Sequence, residues 1–458
     1  MTPRPFKNAL LLLASLLFYT WGAGEFVGFL LLSIAANYGL GRALEVYEDR
    51  PAYTRFIVAV TVAFNVSLLG YFKYANFFVG EANRALSALG VQGVAWTQVV
   101  LPVGISFFTF QAMSYVLDIT QRRTRPIRSL IDFALYVSLF PQLIAGPIVR
   151  FHLIAEQLRE RRVRLTDLYE GMVRFSYGLA KKVIAADSCG AIAEAAFMAP
   201  HDEVTTATAW LGTVAYTLQI YLDFSAYSDM AIGLGRLFGF TFPENFVSPY
   251  AATSVTDFWR RWHTTLSNWF RDYLYFPLGG SRTGGTRVFF NLSVVFLLTG
   301  IWHGADWTFV AWGAYHGVLL IIERITDSRE VEGGVHAVVR RATTLALVML
   351  GWVVFRANDL GQALAFYRKM FVLDFLPLSV GVMAVATNRN LALVAIGSLL
   401  FFRPRTWTPI GLMLTESAQH VSLAVRVPAI VFLVLVLLPY TLLLVVTQDF
   451  SPFLYYRF

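Results

Sequence analysis

The chain has 458 residues, 57% of them hydrophobic and only 14% charged, whereas soluble domains run to roughly 45–50% apolar and about 25% charged. Repeated long apolar runs predict an all-α polytopic membrane protein, and the lack of alternating segments of about ten residues excludes a membrane β-barrel. The net charge of +8 suits contact with membrane lipids and cytoplasmic loops rich in Lys and Arg. It also leaves positive charge for a polyanionic cofactor. With no soluble basic domain, nucleic acid is not an expected partner. The lone cysteine, Cys189, rules out an intrachain disulfide and reads as a small buried residue.

In chain order, the start has a basic n-region and an apolar run, as a signal peptide does. More apolar sequence follows at once, so it reads as a retained membrane segment. Residues 9–40 are apolar with one break at 21–25, giving two short segments or one interrupted one. Residues 56–79 form a span in which Lys73, near an end, reaches the interface by snorkelling. Residues 91–119 are the next span, with Pro102 and Gly104 early in it. Four arginines then fall within 121–128, and Arg159, Arg161, Arg162 and Arg164 form a second basic cluster. Both clusters cannot be cytoplasmic across a single span. The stretch between them, 129–149, holds Pro141, Gly146 and Pro147 and predicts a re-entrant or kinked hairpin, tolerated only where protein buries it.

Residues 168–196, with Arg174, Lys181 and Lys182, read as partly interfacial. Residues 207–240 are long and apolar but carry Asp223 and Asp229. Asp223 shares a helix face with Tyr227, and Ser225 with Asp229. A packing or hydrogen-bonding role and a substrate role are both open for these carboxylates. Gly233, Gly235 and Gly239 do not match a dinucleotide fingerprint, and close helix packing explains them better. A polar loop at 326–341 is followed by apolar stretches at 342–355, 391–402 and 423–446, the last fully long enough to span. In all, roughly ten to twelve membrane segments are expected, short and re-entrant ones included. No internal repeat supports a secondary transporter.

Two stretches carry the chemistry. Residues 287–322 are two apolar runs joined by Trp302, His303 and Gly304. The first run, 288–302, rises only about 22 Å as a helix, against a bilayer core of about 30 Å. That places His303 at membrane depth if Arg287 marks an interface. The lone charge Asp306 opens the second run. An ionisable residue at such depth is a functional-site hypothesis by default, and the plainer alternative is a histidine in a loop at the headgroups.

The second stretch, 257–280, reads as one amphipathic, aromatic-rich interfacial helix. Phe258, Trp262, Leu266, Trp269 and Tyr273 form one stripe, and Asp257, Arg260, Arg261, Thr264, Asn268 and Arg271 mostly the other. His263 lies near the seam, one turn beyond Trp259. A surface anchor is one reading. The other uses Arg260, Arg261, Arg271, Arg282 and Arg287 as a bidentate grip on phosphates. Metal binding fits poorly, because no His-x-x-x-His or HExxH pattern occurs, and no GxSxG elbow supports a serine hydrolase. His303 and His316 would lie about 140° apart on one unbroken helix. His152, His201, His336 and His420 read as solvated or interfacial.

The blocks YFKYANFF (71–78), LPVGISFFTFQAMSYVLDI (101–119), LFPQLIAGPIVRF (139–151), LQIYLDFSAYSDMAIGLGRLFGFTFPENF (218–246), DFWRRWHTTLSNWFRDYLYFPLGGSR (257–282), GIWHGADWTFVAWGAYHG (300–317) and GWVVFRANDLGQALAFYRKMF (351–371) occur in that order. In them the chain resembles the membrane-bound O-acyltransferase superfamily, and most closely its bacterial alginate O-acetyltransferase branch. The resemblance implies one membrane-embedded acyltransferase domain over 1–458, with a catalytic core at about 101–325 and helices around a central tunnel. It implies that His303 is catalytic and that His263 matches the second histidine of some branches. It further implies acetyl-CoA as cytoplasmic donor, with no tightly bound cofactor, and a multi-pass protein of the bacterial inner membrane. The acetyl group would pass to an exopolysaccharide, with a periplasmic acetyltransferase as partner. The resemblance runs from about Leu11 to about Phe371; family members commonly have another hydrophobic segment before the LLLASLLFYTW block (11–21), and the tail after 371 matches weakly.

A buried imidazole kept neutral by desolvation accepts a proton readily. His303 is therefore expected to take the proton of an acceptor hydroxyl as it attacks the thioester carbonyl. His263 is expected to orient the thioester or assist the leaving thiolate. Arg260, Arg261, Arg271 and Arg282, with Trp259 and Asn268, are expected to hold CoA. Two other readings stand beside this one: transfer of D-alanyl or another acyl group from a carrier protein, and a non-catalytic conduit serving a partner enzyme.

Overall fold

A computed structural model describes the chain except residues 1–3, 283, 327–333, 373, 375, 403–409, 415–421, 448–452 and 455–458. Among the described residues every regular element is helical. The chain falls into two compact units, residues 1–164 with 238–243, and residues 165–237 with 244–458.

In the first unit, α1 (Arg4–Ala23) and α2 (Val27–Val46) meet at a short turn, Gly24–Phe26. Gly24 has φ +57°, so the break expected at 21–25 sits on a glycine in a left-handed conformation. Helix α3 (Pro51–Ala88) starts on a proline, which is favourable at a helix's first position. Asn37 of α2 and Asn65 of α3 exchange amide hydrogen bonds at 3.2 and 2.9 Å, which ties the two helices where hydrocarbon offers no other polar partner. Lys73 is buried within α3 rather than reaching an end.

The span expected at 91–119 is helical only in α4 (Ile105–Thr120). Residues 91–104 are held against α3 by polar side chains instead. The Asn76 amide donates to the Val99 carbonyl at 2.8 Å, and its oxygen accepts the Val99 N–H at 2.9 Å. The turn into α4 is Gly104, at φ +76°, where a Cβ would stand 2.6 Å from the Leu143 carbonyl oxygen.

Residues 129–149 form α5 (Leu130–Ser138) and α6 (Phe140–Leu143), both far too short to cross. The kink expected there is real. Its open backbone is satisfied by protein: Tyr136 donates to the carbonyls of Val149 (2.9 Å) and Gln111 (3.0 Å), and the Gln142 amide donates to Tyr136 O at 2.9 Å. In α7 (Phe151–Arg159), His152 is not simply solvated. Its Nδ1 lies 2.8 Å from the carboxylate of fully buried Asp118. Arg161 of the second basic cluster donates to the Phe238 carbonyl and lies over the Phe240 ring.

The second unit opens with α8 (Leu165–Ala180), a wide π-helical turn at Lys181–Ala186, and α9 (Asp187–Phe197). It is built on α10 (Thr206–Leu237), which is buried on nearly every face. Gly171 of α8 and Gly233 of α10 face each other, and a Cβ on either would come within 2.7 Å of the other's carbonyl oxygen. This is the close packing that small residues permit. The stretch expected to be partly interfacial carries a largely buried ion network. Arg174 pairs with Asp229 (2.9 Å) and Glu244 (2.6 Å), and Lys181 with Asp229 (2.5 Å). Lys182 pairs with Asp187 (2.6 Å) and Asp223 (2.8 Å).

The remaining elements are α11 (Val255–Arg261), α12 (Thr264–Phe270), α13 (Gly285–His303), α14 (Trp307–Ile325), α15 (Gly334–Arg356), α16 (Leu360–Val372), α17 (Val380–Val385), α18 (Asn388–Ser398), α19 (Leu423–Phe432) and α20 (Leu438–Thr447). Of the polar loop expected at 326–341, residues 327–333 lie outside the described residues, and helix resumes at Gly334. Among the described residues, five stretches are long and apolar enough to cross a membrane: Phe6–Val46, Pro51–Ala88, Gly285–His303, Gly334–Arg356 and Ala424–Thr447. The protein is multi-pass.

Candidate active site

His303 is the last residue of α13, and the chain folds back at once into α14. Three glycines make that reversal possible. A Cβ on Gly300 would lie 2.3 Å from the Phe309 carbonyl oxygen, and one on Gly313 would lie 2.4 Å from that of Phe296. The two helices therefore touch backbone to backbone. Gly304 lies under the Phe309 ring, 2.0 Å from where its Cβ would be. Asp306, the lone charge of the sequence pattern, caps α14 by accepting the Thr308 N–H at 2.9 Å, a helix-start role.

The reversal changes which residues meet. Trp312 stands between two histidines, its ring 5.1 Å from His303 and 5.1 Å from His316. The sequence pattern left His316 off the His303 face because it assumed one continuous helix. His316 is fully buried, and its Nδ1 accepts the Trp259 indole N–H at 3.3 Å. Its proton is then on Nε2, which points at Gly351, where a Cβ would come within 2.8 Å.

The stretch 257–280 is not one interfacial helix. It breaks between α11 and α12 at His263, whose φ is +44°. A non-glycine residue in that region is strained and persists where its surroundings hold it. The holders are polar. Asn245 accepts from the Thr264 N–H (3.0 Å) through its carbonyl and from the Thr265 hydroxyl (2.9 Å) through its side chain. At the other end of α11, Ser254 caps the Asp257 N–H at 2.9 Å and the Glu323 carboxylate accepts the Thr256 N–H at 2.9 Å. The break buries Phe258, Trp262, Trp269 and Tyr273 in the protein instead of laying them on lipid headgroups.

His263 and His303 thereby join one aromatic cluster. The His263 ring lies 4.7 Å from Phe224 and 6.0 Å from Trp302. Trp302 is 4.8 Å and Phe355 5.3 Å from His303. A narrow cavity opens beside His303, walled by Ile220, Phe224, Trp262, Trp352, Phe355 and Leu454. Its free volume is about 10 Å³, on the order of one water. Burial pushes the His263 imidazole, at its helix break, down to about 3, so it stays neutral at working pH.

The residues expected to hold the cofactor divide. Arg260, Arg271 and Arg282 are exposed, and Asn268 is half-buried. Arg261 is committed to Asp257 at 2.6 Å, and Arg271 to Asp272 at 2.9 Å. Trp259 is buried, with its N–H committed to His316. His201 and His336 are exposed, and His420 lies outside the described residues. Among the described residues no group of three or more His, Cys, Asp or Glu is placed to hold a metal ion.

The sequence profile of the membrane-bound O-acyltransferase family matches residues 57–329, which includes both histidines of the cluster. The chain belongs to this family. It is 39% identical to a probable alginate O-acetylase of Azotobacter vinelandii over 100% of this chain and 96% of the relative. It is 40% identical to a probable alginate O-acetylase of Pseudomonas putida over 99% of this chain and 95% of the relative. A peptidoglycan O-acetyltransferase of Helicobacter pylori is 37% identical over 81% of this chain and 74% of its own length. The protein is thus a membrane O-acetyltransferase. Among the described residues, the His303 cluster joins an imidazole to a small, largely apolar cavity.

Proposed function

We propose that this O-acetyltransferase takes an acetyl group from cytoplasmic acetyl-CoA and passes it across the bacterial inner membrane for O-acetylation of an exported, alginate-like polysaccharide. A periplasmic acetyltransferase serves as partner. The observation that carries the reading is His303 opening into an otherwise apolar cavity. In that setting the imidazole takes the proton of an acceptor hydroxyl while the oxygen attacks the thioester carbonyl. The new C–O ester bond forms as the C–S bond breaks, and the imidazolium returns its proton to the departing thiolate. His263, one ring away through Phe224, orients the thioester. The exposed Arg260 and Arg282 hold the CoA phosphates, with Arg271, Arg261 and Asn268 beside them, and a tunnel between the helices brings the thioester to His303.

The test is His303→Ala in isolated membranes supplied with acetyl-CoA, read as release of free CoA thiol. Turnover falls by about 10²–10⁴ while the amount of folded protein is unchanged. Wild-type turnover in that variant overturns the reading. Wild-type protein with no turnover in the absence of its partner supports the conduit reading instead, and turnover only with a loaded carrier protein supports the carrier-dependent one.

A further inference from the structure

We infer that Leu454 is the wall that sizes the acyl cavity for a two-carbon group, and that the Lys182–Asp223 ion pair holds it in place. The inference rests on the reading of the His303 cavity as the reaction chamber. Five of the cavity's six apolar walls belong to helices or helix joints fixed by their own packing. Leu454 does not. It lies about a hundred residues beyond Phe355 in the chain, yet it is buried to 7% exposure and faces the same space as His303.

What fixes Leu454 is α10. Its backbone N–H donates to Asp223 Oδ2 at 2.8 Å. The other oxygen of that carboxylate is 2.8 Å from the Lys182 ammonium, and both side chains are almost completely buried. A carboxylate buried to this degree is costly unless paired and hydrogen-bonded, and here one of its bonds is used to seat a distant segment. The preceding residue is gripped as well. The Phe453 ring meets the Tyr227 ring edge-on at 5.0 Å, and the Lys182 ammonium lies 4.9 Å over it. Asp223 and Tyr227, one turn apart on α10, thus both face residues 453–454. Phe224, next to Asp223, turns to the opposite task and walls the cavity while packing on His263.

With Leu454 seated, the free space beside His303 is about that of one water. A methyl group is of that size, and each further methylene of a longer acyl chain has to displace a wall. An apolar pocket separates substrates differing by one methylene by about 10–200-fold.

The experiment uses the full chain in membranes with acetyl-, propionyl- and butyryl-CoA. Turnover is counted as the CoA release that His303→Ala abolishes. Leu454→Ala raises the propionyl-to-acetyl ratio about tenfold, and Leu454→Phe lowers it. Asp223→Asn keeps an acceptor for the Leu454 N–H but weakens the hold of Lys182, and shifts the ratio in the same direction as Leu454→Ala by less. A ratio is internal to each preparation, so a lower yield of folded protein does not move it. Should Leu454→Ala be inactive with every donor, Leu454→Val supplies the reading. An unchanged ratio in whichever of the two turns over overturns the inference. A His303→Ala protein that still releases CoA fails the underlying site reading instead, and the two failures are told apart by that control.

Discussion

Adjacent residues of α10 serve opposite environments. Phe224 faces rings: His263, and through the cavity His303 and Phe355. Asp223 faces charge: Lys182, itself shared with Asp187, and further along the same helix Asp229 meets Arg174 and Lys181. The aromatic side sets the His263 and His303 imidazoles among rings. The ionic side keeps each of its buried charges paired. One helix thus keeps formal charge away from the cavity while using that charge to lock its neighbours. If this division is correct, damage on the two sides has different signatures: loss of turnover without loss of fold on the first, loss of fold on the second.

The sharpest way to break the comparison is Asp229→Leu. It removes the carboxylate that Lys181 and Arg174 share, each with only about a tenth of its side chain exposed, and leaves Arg174 with Glu244. Removing one partner of a buried pair costs about 3–5 kcal/mol. Thermal denaturation in detergent is expected to show a large drop in Tm, in contrast to His303→Ala, whose Tm stays near wild type. A Tm for Asp229→Leu equal to that of His303→Ala would mean the network does not hold the fold.

Next in size is Gly313→Ala. The added Cβ would need to sit 2.4 Å from the Phe296 carbonyl oxygen, so α13 and α14 have to part. Overpacking of this kind costs about 1–3 kcal/mol. Because α13 carries His303, turnover falls along with Tm. A stable Gly313→Ala protein with full turnover would show that the helix contact does not place the histidine.

Much of this was legible in the residues, and what was not has a common cause. The aromatic stripe of 257–280 was readable from periodicity, and its burial in protein rather than at the headgroups was not. The break at His263 was not, because it is held by Asn245, which lies outside the stretch. The run from 91 to 104 is apolar enough to suggest a helix, yet Asn76 satisfies its backbone without one. Asp306 looked like a membrane-depth charge and is a helix cap. Gly233 was readable as a packing residue, since small size has one common use between helices. Lys182 and Asp223 looked like separate anomalies, and their pairing required knowing that α10 runs beside the wide turn after α8. Leu454 carried no local signal at all. Periodicity reports which face is buried, and long-range polar partners decide where a helix stops.

A smaller effect follows from His263. Its imidazole titrates near 3 in the folded protein, against about 6.5 in an unfolded chain. Between those values the unfolded state binds the proton and the folded state does not. The stability linked to this group is therefore intact above about pH 6.5 and is lost as pH falls toward the folded value. His263→Asn keeps a side chain that tolerates the left-handed backbone and removes the titration. Tm measured from pH 7 to pH 5 is expected to fall less steeply in the variant than in wild type. Parallel curves would show that His263 takes up its proton without unfolding.

The smallest expected effect tests the support behind the cluster. The Trp259 indole N–H fixes the His316 tautomer, and His316 supports Trp312, which packs against His303. Trp259→Phe alone would mix the lost hydrogen bond with lost volume, since the Trp259 ring also meets Phe296 and Trp312. A double-mutant cycle with His316→Phe separates them, because the coupling term retains only what the pair shares. For a single buried bond between neutral partners that term is about 1 kcal/mol. Turnover changes far less than in His303→Ala, because His316 acts one ring behind Trp312. A coupling of zero would mean the two side chains pack without the bond. The orientation of the Trp312 ring against His303 would then rest on its ring contacts with Trp352 and Phe355 and on the Gly300–Gly313 contact.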